Sequence, residues 1–260
     1  MRERAADLCW RLALPVGGVI AWVGLSRVLT SPTWRLMMPP PEALYESLSG
    51  LLTPEVGTWM PGLLLHMRES LIRLLTGFGA AAAVAIPLGI AVGRSRLVET
   101  NLNPLIQSLR PISPIAWIPI ALTWFGVGTT TVAFVVSYGS FFPILLNTIA
   151  GVKGTNRLYI RAALICGLPA HRLLLKVILP AALPAILTGL RIGSGVGWMT
   201  IVAAELVGTN TGLGYLISEA RFHLDIERII LGMMAIGILG VLTDRCLRKL
   251  QAVLVPWHGK

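Results

Sequence analysis

Six stretches of the chain are apolar over roughly the 20 residues that a helix needs to cross a hydrocarbon layer. They are Leu12–Leu29, Leu71–Val92, Leu105–Phe125, Thr130–Ala150, Leu183–Val207 and Ile229–Leu247. In lipid every backbone polar group must find its partner within the protein, so stretches of this kind fold as helices or not at all. Composition removes the other options. Hydrophobic residues make up 55% of the 260, and charged residues 13%, where a soluble domain carries about 25% charged. A disordered chain, a disulfide scaffold and an ordinary soluble enzyme are excluded. The expectation is an all-α membrane protein with about six transmembrane helices, the third and fourth separated by the turn-like Gly126-Val127-Gly128. The apolar run at Leu12 is too long for a secretory leader and lacks a small-x-small cleavage site after it, so it is read as a retained span.

The net charge of +10 suggests either nucleic acid or basic cytosolic loops. No RNP, zinc-finger or basic-helix pattern is present, and nucleic acid is not an expected partner. With the N-terminus inside, fourteen Lys and Arg fall on the cytosolic side, among them Arg94, Arg96, Lys153, Arg157, Arg161, Arg172 and Lys176. Five (Arg27, Arg35, Arg68, Arg221 and Arg228) fall outside. This is the positive-inside distribution, and it places both termini in the cytosol. Cys9, Cys166 and Cys246 form no CxxC pair and are expected as reduced thiols.

Catalytic patterns are missing. There is no phosphate-binding G-x-x-x-x-G-K-[ST] loop, no HExxH and no G-x-S-x-G elbow, and the four histidines show no zinc spacing. No catalytic residue, metal site or bound cofactor is expected on this chain.

Two loops are long. The external one, about 30–70, is proline-rich and then amphipathic. The internal one, about 151–182, is basic and reads as a helical hairpin broken at Gly167-Leu168-Pro169. Within it stand Arg161-Ala162-Ala163, three residues, Gly167, nine residues, and Val177-Ile178-Leu179-Pro180. This resembles the "EAA" signature of ABC-importer permeases: Glu-Ala-Ala, three residues, Gly, nine residues, Ile-x-Leu-Pro. The spacing agrees throughout. Arg161 replaces the Glu, a charge reversal, and Val177 replaces the Ile. Further segments, in order, are similar to permeases of the nitrate/sulfonate/taurine type: Arg110 to Pro119, Phe142 to Thr148, Leu187 to Ile192, Ala203-Ala204-Glu205 and Gly212 to Tyr215. The similarity runs over about Leu65–Leu250.

The resemblance implies the transmembrane domain of a type I (MetI-like) ABC importer in the bacterial inner membrane. It divides the chain into an N-terminal helix with its external connector (1–64), a permease core (65–250) and a short tail (251–260). It implies three partners besides the bilayer: cytosolic ATPase subunits that bind ATP and Mg, an external substrate-binding protein, and a second permease copy. Arg161, Ala162, Ala163, Gly167, Leu179 and Pro180 would belong to the ATPase-coupling loop. The cargo would be a small anion such as a sulfonate, taurine or nitrate. A carrier or channel working without an ATPase is the alternative open to a chain of this composition.

Candidate pathway residues follow from helical periodicity. Arg191, Trp198 and Glu205 recur every seven residues, within ~20° of one face, with ~21 Å between the first and the last. An ionisable group at membrane depth is by default a functional candidate. Arg110, Trp117 and Trp124 show the same interval in a stretch that Pro111, Pro114 and Pro119 interrupt, with Ser113 as a possible hydroxyl donor. Broken helices of this kind are found at transporter sites. Both triads also admit a structural role, in packing or at a membrane interface. Gly189, Gly193 and Gly197 form a small-xxx-small ridge for close helix packing, within the chain or at a dimer seam.

Overall fold

Within residues 17–18, 21–26, 39–53 and 62–256, the parts of the chain described by the computed structural model, the apolar stretches are helical except at 110–113. The helices are α1 (Pro41–Leu51), α2 (Gly62–Arg94), α3 (Arg96–Leu109), α4 (Ile118–Phe125), α5 (Thr129–Lys153), α6 (Arg157–Ile165), α7 (Ala170–Gly208), α8 (Leu213–Phe222) and α9 (Ile226–Leu254). Of these, α2, α5, α7 and α9 are long and apolar enough to cross a membrane, and the bent pair α3–α4 makes a fifth span if counted as one. Most of the first expected span, Leu12–Leu29, lies outside the described residues, as does Cys9. Cys166 and Cys246 are free and exposed.

The third stretch is broken where its prolines interrupt it. Leu105–Phe125 is not one helix: α3 and the segment Pro114–Phe125 meet at 85°. Pro111 and Pro114 supply no backbone N–H and disfavour helical geometry in the residues before them. The chain therefore leaves α3 at Arg110, passes through Ser113 in extended geometry, and re-enters through a short 3-10 turn, Pro114–Trp117. The Gly126-Val127-Gly128 turn forms as expected. Gly126 and Gly128 both adopt positive φ, +73° and +153°, and the Gly128 N–H donates to Gly208 O at 2.9 Å.

The chain falls into two compact units. One comprises the described residues up to Leu65 together with Leu216–Met234; the other comprises His66–Tyr215 with Ala235 onward. In the first unit, α8 ends in a Schellman motif: Leu224 N–H donates to Arg221 O and Asp225 N–H to Ala220 O. Leu224 occupies its left-handed position at φ +56°, where glycine is usual.

In the second unit α5 is the central helix. Val132, Val135, Val136, Ile144 and Leu145 have no accessible surface. Glycines on both neighbouring helices press against it. A Cβ on Gly77 of α2 would lie 2.5 Å from Ala133 O, and one on Gly89 would lie 2.7 Å from Thr148 Cβ. From the other side, a Cβ on Gly189 would lie 2.7 Å from Asn147 Cβ, and one on Gly193 would lie 2.9 Å from Ile144 Cγ1. Backbones this close exchange dispersion and weak C–H···O contacts, which hold helices together where lipid supplies no hydrophobic drive.

Candidate functional site

Three places in the second unit concentrate the chemistry that the sequence singled out. The first is the hairpin after α5. Asn156 Oδ1 caps α6 by accepting from Leu158 N–H at 2.9 Å. The helix closes in a Schellman motif: Gly167 N–H donates to Leu164 O at 2.9 Å and Leu168 N–H to Ala163 O at 3.1 Å. Gly167 sits at φ +71° with nothing near its missing Cβ, so its requirement is purely conformational. Leu168, the residue after it, packs into a cluster with Ala163, Leu173 and Ile178, the hydrophobic contact typical of the motif. Pro169, in extended geometry, then stands at the N-cap of α7. A π turn over Leu174–Ile178 precedes Leu179 and Pro180; such a turn relieves the clash between a proline ring and the carbonyl four residues earlier. Arg161 and Ala162 are exposed, Ala163 is buried, and Leu179 and Pro180 are half-buried. Leu158, Tyr159, Leu164 and Ile165 project outward, Ile165 at 87% exposure.

The second is a cavity of about 440 Å³ beside the α3–α4 break. Arg110, Ile112 and Pro114 form one wall, Tyr138, Phe142 and Asn147 of α5 a second, and Ile192 and Val196 of α7 a third. On α5 this is the middle of the span, ~14–27 Å along its axis. Pro143 also lines the cavity; it removes the N–H that would bond Gly139 O, leaving polar backbone where the space is open. Tyr138 fixes the break by donating its hydroxyl to Leu109 O at 2.7 Å. Ser113 is exposed at the break. Trp117 and Trp124 do not continue a stripe with Arg110, because the break intervenes. Their rings approach each other at 6.5 Å and join Phe134, Tyr138 and Phe125 in an aromatic cluster. Trp117 Nε1 is buried without a hydrogen-bond partner.

The third is the seven-residue stripe of α7, whose members find partners on other helices. Arg191 Nε pairs with Asp244 Oδ1 at 3.1 Å, and Asp244 also holds Arg248. Trp198 Nε1 donates to Thr243 Oγ1 at 2.9 Å. Glu205 has no exposed surface. Its carboxylate accepts from Arg73 Nη1 at 2.9 Å, Ser70 Oγ at 2.8 Å and Gly214 N–H at 2.9 Å. Arg73 also donates to Thr211 O and Thr211 Oγ1, both at 2.6 Å. The network staples the 209–214 turn onto α2 and α7. Gly212, at φ +110°, leaves no room for a Cβ, which would lie 2.4 Å from Glu205 Oε1. The ridge Gly189, Gly193, Gly197 faces α5 within this chain, with Gly197 also reaching Leu74 of α2.

Residues 85–257 match the family described as binding-protein-dependent transport system inner membrane component. The chain belongs to this family. This permease is 40% identical over 239 residues to the taurine transport system permease protein TauC of Escherichia coli, covering 92% of this chain and 86% of that protein. It is 35% identical over 261 residues to the bicarbonate transport system permease protein CmpB of Synechocystis, covering 98% and 91%. In fold it matches a chain of the MetNI methionine ABC transporter in inward-facing conformations, with a TM-score of 0.60 at 18% identity, over 76% of this chain and 99% of that one. It is a multi-pass permease subunit of an ABC importer.

Sequence reasoning about this permease missed Arg73, Ser70 and Asp244. A signal was available: Arg73 is a charge inside the second apolar stretch, and the rule that singled out Arg191 applies to it equally. Tyr138 and Asn147 had none, since a single phenol or amide in an apolar run is ordinary.

Proposed function

We propose that this permease passes a small anion inward through the α3–α4–α5–α7 region, driven by ATP hydrolysis in a cytosolic partner. The observation that carries the reading is the mid-span cavity holding Arg110, which forms no side-chain hydrogen bond or ion pair among the described residues. An arginine at that depth cannot face hydrocarbon, so the open side of the cavity must meet water or a second protein surface. The named ligands of TauC and CmpB, taurine and bicarbonate, both carry an oxyanion. Arg110, Ser113, Trp117 and Trp124 border the passage at the break, and Arg191, Trp198 and Glu205 brace α7 along it. A second copy of the chain faces the open cavity, and an external binding protein delivers the cargo.

The hairpin Arg157–Pro180 is the ATPase dock. Its closed, capped geometry holds Leu158, Tyr159, Leu164 and Ile165 outward with nothing among the described residues covering them, and Arg161 stands beside them. ATP and Mg bind the partner, not this subunit. A tagged permease purified from its own cells in mild detergent is expected to bring a stoichiometric ATPase with a phosphate-binding loop. Gly167→Val forces a β-branched residue to φ +71°, where an L-residue costs roughly 1–2 kcal/mol. That variant is expected to insert at wild-type level while losing most of the transport-linked ATPase activity. Wild-type coupling in it, or a homo-oligomer without ATPase in the pull-down, refutes the reading.

A further inference from the structure

A second hollow, of about 320 Å³, lies on the opposite side of α7 from the cavity. Ser194 lines it, and Ser194 is two residues from both Ile192 and Val196 of the cavity wall, about 160° away from each round the helix. α2 and α9 supply the remaining walls. Leu74 and Leu239 are buried in the floor, while Leu75, 55% exposed, and Leu242, 48% exposed, stand at the rim. Among the described residues no Asp, Glu, Lys, Arg or His lines the hollow. Its other hydroxyl, on Thr243, is committed: it donates to Leu239 O at 3.0 Å and accepts from Trp198 Nε1 at 2.9 Å. The hollow is a slot that runs ~12 Å along α9, from Leu239 to Leu247.

One end of the slot is charged. Lys249 is seven residues from Leu242, within ~20° of the same face of α9 and about one turn beyond Cys246. Arg245, three residues from Leu242, borders that face. Both are exposed, and neither forms a side-chain hydrogen bond or ion pair among the described residues. The acid beside them, Asp244, is taken by Arg191 and Arg248. The distribution of Lys and Arg puts this end of α9 on the cytosolic side. An apolar slot, open at its rim, that leads to two uncompensated cations has the layout of an amphiphile. We infer that the slot binds one acyl chain of an anionic glycerophospholipid, whose phosphate group pairs with Lys249 and Arg245. The chain lies along Leu75, Leu242 and Cys246, and the cations stand where the inner leaflet carries its negative charge. A zwitterionic lipid offers the same chain, but its ammonium offsets the phosphate beside the two cations. The choice of lipid over a second copy rests on the importer reading, which sets the second copy against the cavity and leaves this opposite face of α7 to the bilayer.

Cys246 lines the slot, is free and exposed, and serves as the reporter. The purified permease–ATPase complex, with Cys9 and Cys166 replaced by serine and native lipid washed out in detergent, is alkylated with N-ethylmaleimide and read on the permease band. Dioleoyl phosphatidylglycerol or dioleoyl phosphatidylcholine is titrated in. Phosphatidylglycerol is expected to slow alkylation saturably, and phosphatidylcholine to need roughly twentyfold more lipid, since each cation contributes about fivefold. Lys249→Gln should raise the phosphatidylglycerol midpoint about fivefold, and Arg245→Gln with Lys249→Gln about twentyfold, level with phosphatidylcholine. Arg96→Gln, which removes the same charge at the start of α3, should leave the midpoint at its wild-type value. Inorganic phosphate, which has the head and no chain, should protect nothing. Co-purified ATPase reports that each variant is folded, and Lys249→Gln alone decides if the double variant fails to assemble. Equal midpoints for the two lipids overturn the inference, as do protection by phosphate and a wild-type midpoint in Lys249→Gln. So does a Cys246 that stays unreactive with lipid washed out, or that cross-links to Cys246 of a second copy, since protein then fills the slot. A preparation without ATPase overturns the importer reading, while protection of Cys246 is still read on the permease itself.

Discussion

Glu205 and Arg73 together offer a quantitative check on how this membrane fold holds its outer end. Both are buried, at 0% and 3% exposure, and their atoms meet at 2.9 Å. Replacing Glu205 by Gln keeps the shape and removes the charge. Arg73 then retains Thr211 and Thr129 as neutral acceptors and, among the described residues, Glu69 at 3.8 Å, half-buried, as its one remaining carboxylate. The new amide also turns an N–H₂ toward donors, because Ser70 Oγ and Gly214 N–H both point at the former carboxylate. Breaking one side of a buried pair costs roughly 3–5 kcal/mol. The residual contact with Glu69 puts Glu205→Gln at the low end, about 3 kcal/mol, and Arg73→Gln similarly leaves a buried carboxylate with Ser70 and Gly214 alone. In the double variant two amides can bond each other and no charge is stranded. The pair is therefore expected to cost less than the sum of the singles, with a coupling of about 2 kcal/mol. Reversible unfolding in mixed micelles of rising SDS fraction, run on wild type, both singles and the double, closes the cycle. A coupling below about 0.5 kcal/mol would mean the two charges do not depend on each other, and the stapling role would be withdrawn.

The remaining predictions concern backbone geometry. Leu224→Gly should raise the thermal midpoint by the equivalent of about 0.5–1 kcal/mol, because the left-handed conformation costs a non-glycine residue more than glycine's added chain entropy. The side chain is 66% exposed and gives up little packing; a lower midpoint for the glycine variant would contradict the strain at φ +56°. Gly193→Ala places a methyl 2.9 Å from Ile144 Cγ1 and 3.1 Å from Ser140 O, and should destabilise by roughly 1–3 kcal/mol. Gly195→Ala on the same helix meets nothing within 4 Å and should be neutral or stabilising by up to about 1 kcal/mol; detergent melting that ranks the two in the opposite order would refute the packing.

The helices were legible because lipid leaves an apolar run one solution. So was the hairpin, since Gly-Leu-Pro after an apolar turn spells out the left-handed residue, the hydrophobic follower and the next start. Other features were not. Prolines 111 and 114 announce that α3 stops, yet nothing local sets the angle at which α4 departs, which depends on Tyr138 holding Leu109 from another helix. The stripe Arg191, Trp198, Glu205 was placed on one face by periodicity alone. What that face meets was not: Asp244 and Thr243 on α9 for the first two, Arg73 on α2 for the third. Glu205 and Arg73 are 132 residues apart, and no spacing rule joins residues at that distance. The cavity escaped for the same reason, being assembled from three separate elements whose individual residues look like packing.

How the hairpin and the cavity communicate follows from the continuity of α7. Leu173 and Ile178 pack in the hairpin cluster with Ala163, and Ile192 and Val196 line the cavity, all on one helix. No loop lies between them to absorb a displacement. The soft point is the π turn at Leu174–Ile178, followed by Pro180 and Pro184, where hydrogen bonds are already missing or stretched and bending is cheapest. Farther out, Gly189 and Gly193 lock α7 against α5 at separations that leave no room to slide, and Glu205 fixes its end to α2. Between the π turn and Glu205, α7 is thus held to α5 and α2 along most of its length. The α3–α4 break is tied to the same helices: Tyr138 holds Leu109 O, and Ile106 and Leu109 pack with Phe142 and Leu145 of α5.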